Sequence, residues 1–340
     1  MQITSNFISS VYSALYHGAG TSYAYLLASI IIYFIALFVF VSVFAYLFGW
    51  FERKLIARIQ SRHGPTYVGK YGLLQNFADL VKLLSKESIT PDGSNPLLYR
   101  LAIPAIVAAF LIIVALIPIT NGFVSFNSSI SLLLVIVLIS LVPILVMVAG
   151  WATGNKFGQI SAQRSVMMLI SYEVPLILVI ASVGLITHSY SFASIISVQA
   201  SGHWLAVLDP IGFALFFIVM LAEMERPPFD LREADSELIA GWLTDIDAPY
   251  YAMALLLDYI RVFALSLLFV VLFLGGWLGP AVIPGIVWLL LKVVLVAAVV
   301  VVLRATMMRM KIDHLIKIGW KYLMPLAVAN IVLIFFLFVR

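Results

Sequence analysis

Long apolar runs separated by short charged links dominate the chain. Eight runs reach or approach the ~20 residues that cross a bilayer core: Tyr23–Trp50, Leu101–Ile119, Ile130–Gly150, Val166–Ile186, Ile211–Leu221 with its flanks, Tyr250–Leu274, Ala281–Leu303 and Leu323–Val339. The fifth has the shortest clean core. Lipid offers the backbone no hydrogen-bond partner, and runs this continuous are unlike barrel strands, so each run predicts a helix. The expected fold class is an all-α integral membrane protein with about eight transmembrane helices, organised as one polytopic domain over residues 1–340.

The polar links alternate in charge. No Lys or Arg occurs in residues 1–51 or in the links 121–129, 188–210 and 275–280. The intervening links hold seventeen of the twenty basic residues, among them Arg53, Lys54, Arg58, Arg62, Lys82, Lys86, Lys156, Arg164, Arg226, Arg232, Arg304 and Arg309. The positive-inside rule makes those links cytoplasmic and places both termini outside. A multi-pass protein of the cell membrane is expected, rather than of the mitochondrial inner membrane. The N-terminus lacks a basic segment of the kind that opens a cleaved leader. Phe7, Ile8, Val11, Tyr12 and Leu15 fit one face of a short outer-surface helix within residues 1–22. In the first cytoplasmic link (51–100), Leu73, Leu74, Phe77, Leu80, Val81 and Leu84 form an apolar stripe opposite Gln75, Asp79, Lys82 and Lys86. This predicts an interfacial helix of about 17 residues between Gly72 and Pro91.

Composition agrees. The chain is 64% apolar and 11% charged, against roughly 45–50% and about 25% in soluble domains. An ordinary globular enzyme and a nucleic-acid binder are excluded. With no cysteine, the chain has no thiolate to hold an iron–sulfur cluster, so any electron carrier belongs to a partner. Neither a Walker loop nor a dinucleotide fingerprint occurs. His17, His63, His188, His203 and His314 show no metal-like spacing, and no metal site is expected.

Candidate chemistry gathers in two links and inside the spans. The first link is dense in basic residues and admits two readings, a headgroup-binding loop or the border of a site. The third cytoplasmic link, 223–249, carries Glu223, Glu225, Asp230, Glu233, Asp235, Glu237, Asp245 and Asp247 against Arg226 and Arg232, and so breaks the charge rule. Its Phe229, Leu231, Leu238 and Trp242 argue for burial rather than a solvated acidic loop. If 232–237 is helical, Glu233 and Glu237 share a face. Confined like charges raise one another's pKa and become candidates for proton transfer. Within the spans, Glu173, Asp258, Arg261 and Lys292 each cost ~2.5–3.5 kcal/mol to insert and mark function by default. Pro175 leaves the carbonyl of Ser171 without its helical donor, beside Glu173. Asp258 and Arg261, one turn apart, either neutralise each other or serve a relay. Lys292 needs a partner from elsewhere.

Four blocks then resemble a known family. They are Glu52-Arg53-Lys54 through Gln60-Ser61-Arg62-His63-Gly64-Pro65 and Gly72-Leu73-Leu74-Gln75 to Asp79; Gly150-Trp151 through Tyr172-Glu173; Glu223 through Arg226-Pro227-Pro228-Phe229-Asp230-Leu231 to Glu237; and Gly275-Gly276-Trp277, Lys292, Arg304 and Arg309. In that order they resemble the NADH dehydrogenase subunit 1 family, the H-type membrane subunits of respiratory complex I, from about Trp50 to Asn330. The sequence departs from the family pattern at Asn76, Thr66, Met168, Arg232, Met308 and His314, and it has Asp where Glu is usual at 235, 245 and 258.

The resemblance implies an enzyme subunit without a redox centre of its own. It would form the membrane part of a quinone chamber and couple quinone reduction to proton translocation. Glu173, Glu223, Glu233, Asp235, Glu237, Asp258 and Lys292 would line the proton path. Arg53, Arg58, Gln60, Asp79, Lys82, Phe229 and Asp230 would border bound quinone. Implied partners are a peripheral iron–sulfur subunit, a second peripheral subunit at the quinone site, antiporter-like and small membrane subunits, and lipid. The alternatives are the equivalent subunit of an energy-converting hydrogenase or ferredoxin-dependent complex without quinone, a stand-alone secondary transporter, and a structural anchor.

Overall fold

The computed structural model describes residues 23–120, 128–233, 235–280 and 283–338; the expected outer-surface helix lies outside them. Eleven helices longer than one turn carry the architecture: α1 Tyr23–Ile59, α2 Gln75–Leu84, α3 Pro96–Leu116, α4 Ser131–Ala152, α5 Lys156–Thr187, α6 Phe192–Ala200, α7 Pro210–Glu223, α8 Ala248–Phe273, α9 Gly285–Thr306, α10 Ile312–Ile318 and α11 Met324–Phe338. Among the described residues, seven stretches are long and apolar enough to cross a membrane, the last being the continuous run Ile312–Phe338 through a π-turn at Gly319–Leu323. The fifth expected span is the shorter α7, whose 14 residues rise about 21 Å at 1.5 Å each.

Boundaries differ from expectation for local reasons. α1 runs on through Ile59, so Glu52, Arg53, Lys54 and Arg58 ride its last turns rather than a loop. α5 starts at Lys156, ten residues before the apolar run, with the Asn155 side chain accepting from Phe157 N–H. The interfacial helix is 10 residues long rather than about 17. It ends where the Ser85 hydroxyl bonds the Lys82 carbonyl and the Ser88 hydroxyl turns away to Asp247. Asn76, an unusual residue at its position, docks α2 by donating to the Tyr46 carbonyl on α1 at 2.9 Å.

α8 is the core. From Ile260 to Phe273 every residue is buried, with α1, α3, α7 and α9 packed around it. Phe213, Phe216 and Phe44 meet Phe269, Phe273 and Phe263 with ring centres 4.4–5.5 Å apart. Outward faces stay apolar: Ile30, Ile31, Ile35 and Val39 on α1 and Phe335 to Leu337 on α11 are exposed. Lipid or neighbouring subunits cover such surfaces.

The alternation of links is visible in space. At one end the charged links bind one another: Asn155 to Asp245 at 2.7 Å, the Ser161 hydroxyl to the Arg232 carbonyl at 2.7 Å, and Met310 N–H to the Pro228 carbonyl at 3.0 Å. At the other, Leu132 N–H bonds the Tyr190 carbonyl, and Gln199 bonds the Val271 and Leu272 carbonyls and Gly275 N–H.

Candidate functional site

The site grows inward from the charged end. Arg53, on the last turns of α1, donates to Asp79 on α2 at 2.7 Å, both partly exposed. Gln75 donates to the other Asp79 oxygen at 2.9 Å. Burial raises the Asp79 pKa, but the Arg53 and Gln75 hydrogen bonds outweigh it and hold the carboxyl below its usual value. Arg58, Gln60 and Lys82 lie exposed near this pair in sequence, and Gln60 accepts from Arg62 at 2.8 Å.

One residue earlier on α1, Glu52 faces inward with its side chain 3% exposed. It accepts from Arg226 of the acidic link at 3.4 Å and from Arg304 at the end of α9. Arg226 also lies over the Tyr259 ring of α8, 5.6 Å from its centre. The acidic link is pinned beside this hub. Asp230 pairs with Arg309 at 2.9 Å; burial nonetheless raises its pKa. Phe229 is buried in the core, away from any open surface.

Glu233 is a strongly perturbed acid of the link. Partly buried, and within electrostatic reach of Asp258 and Asp230, it is pushed up from 4.5 to about 8, first by burial and then by those charges. The expectation that Glu233 and Glu237 share a helix face is corrected. Helix covers only Asp235–Leu238, and Glu237 instead pairs with Arg164 of α5 at 2.6 Å. Gly241 permits this close fold: its φ is +58°, and a Cβ there would collide with the Arg232 carbonyl.

Deeper, Glu225 joins two buried guanidiniums, Arg232 and Arg261, the latter at 2.6 Å. Of the two readings open for Asp258 and Arg261, the geometry does not carry mutual neutralisation: the ion pair of Arg261 runs across elements to Glu225. Asp258 has no ion pair among the described residues, and it lies within electrostatic reach of Arg261, Arg226, Asp230 and Glu233. Arg232 is pushed down to about 10 by burial and by Arg261. Glu223 closes α7, buried, with one carboxylate oxygen unpaired. It senses Arg232, Arg261 and Glu173. Tyr172, beside Glu173, also keeps a buried, unpaired hydroxyl. The carbonyl freed by Pro175 is covered: Gly319 packs so closely on the Ser171 oxygen that a Cβ would collide with it.

Lys292 stands apart from the acids. Its ammonium donates to the carbonyls of Leu274, Gly276 and Leu278 at 2.7–3.0 Å and sits 4.8 Å from the Trp204 ring centre, at the opposite end of α8. The structure thus joins Glu173, Glu223, Glu233 and Asp258 and leaves Lys292 out. Sequence reasoning passed over Glu52, Glu225, Arg226, Arg232 and Arg304 as site members. The signal was the six-charge deficit of the acidic link, which requires cations brought from other segments.

Comparison with known proteins places this network in a family. The family model described as NADH dehydrogenase matches residues 31–335. The chain is similar to the H subunit of NADH-quinone oxidoreductase from Dehalococcoides mccartyi, with 36% identity over 89% of this chain and 85% of the relative. It is also similar to the second of the H subunits named for Syntrophobacter fumaroxidans, 39% identical over 87% and 92%, and to the H subunit of Brevibacillus brevis, 40% identical over 84% and 85%. With its buried arginine–carboxylate chain set in membrane-spanning helices and these matches running nearly end to end, the chain belongs to the NADH dehydrogenase family.

Proposed function

We propose that this chain is the membrane subunit of a complex I-type oxidoreductase that forms the membrane part of a quinone-binding chamber and couples quinone reduction to proton translocation. One observation carries the reading. Ionisable side chains succeed one another from the exposed Arg53–Asp79 pair, through Glu52–Arg226, Asp258–Glu233 and Glu225–Arg261, to Glu223 and Glu173 inside the membrane.

Electrons arrive from an iron–sulfur cluster held by a peripheral partner, because this chain has no thiolate to hold one. Quinone reduction consumes protons in step with electrons. Arg53, Asp79 and the exposed Arg58, Gln60 and Lys82 border the entrance, where fixed charges favour the polar headgroup over bulk lipid. Asp230 and Asp235 belong to the link beside them. Glu233, still protonated near neutral pH, is a proton reservoir next to the chamber. A negative charge developing on quinone draws that proton, and Asp258, Glu223 and Glu173 reload the site in turn. Arg261 and Arg232 flank the route and make repeated ionisation tolerable in a low dielectric. The charged end faces the cytoplasm and the peripheral subunits.

Glu173→Gln in the intact complex tests the reading. The amide is nearly isosteric and still hydrogen-bonds, but it carries no proton. The expected result is normal assembly and bound quinone, with coupled turnover lowered about 100-fold. Wild-type coupled turnover in assembled mutant complex removes Glu173 from the path. Failure of peripheral subunits and quinone to co-purify with the wild-type chain rejects the reading as a whole.

A further inference from the structure

A second acidic site lies at the charged end, apart from the quinone and proton residues. The segment before α3 and the segment before α8 flank an open cavity of about 330 Å³ lined by Glu87, Ile89, Pro91, Asp245, Ile246 and Asp247. None of its three carboxylates has an ion-pair partner among the described residues. Asp245 accepts one hydrogen bond, from Asn155. Asp247 is 8% exposed. One of its oxygens accepts from Ser88, and the other is buried with no partner at all.

An acid this enclosed is expensive to leave half-satisfied, and three acids around one cavity need a cation. A metal ion does not fit. The three carboxylates do not converge into a metal-holding group among the described residues. A guanidinium on a long stem does fit, because its five donors fan outward and engage separated carboxylates at once. The rim supplies the complementary surface for the stem: Ile89 is 68% exposed. We infer that this cavity is the socket for one basic side chain, an arginine by shape, presented by a water-soluble protein subunit docked on the charged end. The inference rests on the proposed membership in a multi-subunit complex.

The test uses the purified complex in two ways. A photo-crosslinking residue placed at Ile89 of the otherwise unchanged chain is expected to capture one peripheral subunit, at a peptide containing arginine or lysine. Separately, the Glu87→Gln, Asp247→Asn double variant is expected to release that subunit about 30-fold faster or more in a high-salt wash, the scale of losing a buried charge partner. Should the double variant fail to assemble, the crosslink decides. Crosslinks to lipid alone, or to no protein, in a complex that retains its peripheral subunits overturn the socket and leave the family reading intact. Unchanged release does the same. A wild-type preparation with no water-soluble subunit overturns the multi-subunit reading first, and the socket with it.

Discussion

Arg261 reaches Glu225, 2.6 Å away in the acidic link, and not Asp258 one turn before it on the same helix. Glu225 also holds Arg232. A single carboxylate therefore balances two buried guanidiniums, and the three residues are unequal in what their loss exposes. Arg261→Gln leaves Glu225 paired with Arg232. Glu225→Gln removes the ion-pair partner of both guanidiniums at once and leaves them only the more distant charges of Asp258, Glu223 and Glu233; breaking a buried pair in this way costs ~3–5 kcal/mol. Glu225→Gln is expected to abolish assembly, Arg261→Gln to lower the melting temperature of a complex that still forms, and Asp258→Asn to assemble normally. Native-gel quantities of the three variants check this order, and equal assembly of all three contradicts it.

Glu233 supplies a pH signature. Its pKa is raised from 4.5 to about 8 by burial and by Asp258 and Asp230. Between those values the folded state binds more protons than the unfolded state, so this group's contribution to stability falls as pH rises through the window. The infrared band of a protonated carboxyl is expected to disappear with a midpoint near pH 8 and to be missing from Glu233→Gln. A midpoint at the usual carboxylate value places the side chain in solvent and removes it as a reservoir.

The helices were legible because apolar runs longer than a bilayer admit little else, and the basic links alternate as bilayer insertion requires. Pairings were harder to read. Spacing along one helix pairs Asp258 with Arg261, but the folded acidic link brings Glu225 within 2.6 Å of the Arg261 guanidinium. Glu233 and Glu237 looked like one face only while the link was taken as helical; the chain reverses at Gly241 under the Arg232 carbonyl and turns Glu237 toward Arg164. Glu52 reads as the start of a basic loop until its helix is seen to continue through Ile59. Folding of the acidic link onto four helices decides these contacts, and no window of sequence contains it.

Lys292 separates a structural charge from a mobile one. Its three N–H donors are all taken by carbonyls at the end of α8, where a cation also meets the helix dipole favourably. Lys292→Gln keeps two N–H donors and loses the charge, at a cost of about 1.5–3 kcal/mol for weakened charge-assisted bonds. The expected outcome is a lower melting temperature with protons pumped per electron unchanged. A reduced pumping ratio at unchanged melting temperature instead puts Lys292 on the proton path.

The orientation proposed from charge can be tested directly, because the chain has no cysteine and each introduced thiol is unique. Asp92 and Lys311 are exposed in charged links, and His188 and Ser201 are exposed in links that lack basic residues. Contacts tie each set to its own end: Ser94 and Asn95, next to Asp92, bond the Pro91 and Ala152 carbonyls, while Leu132 bonds the Tyr190 carbonyl near His188. An impermeant maleimide is expected to label cysteines at 188 and 201 in intact cells, and those at 92 and 311 only after permeabilisation. Outside labelling at 92 or 311 inverts the topology. It places the Arg53–Asp79 entrance and the Glu87–Asp247 cavity on the side where no reducing partner can dock, so this one measurement bears on the quinone reading and on the socket together.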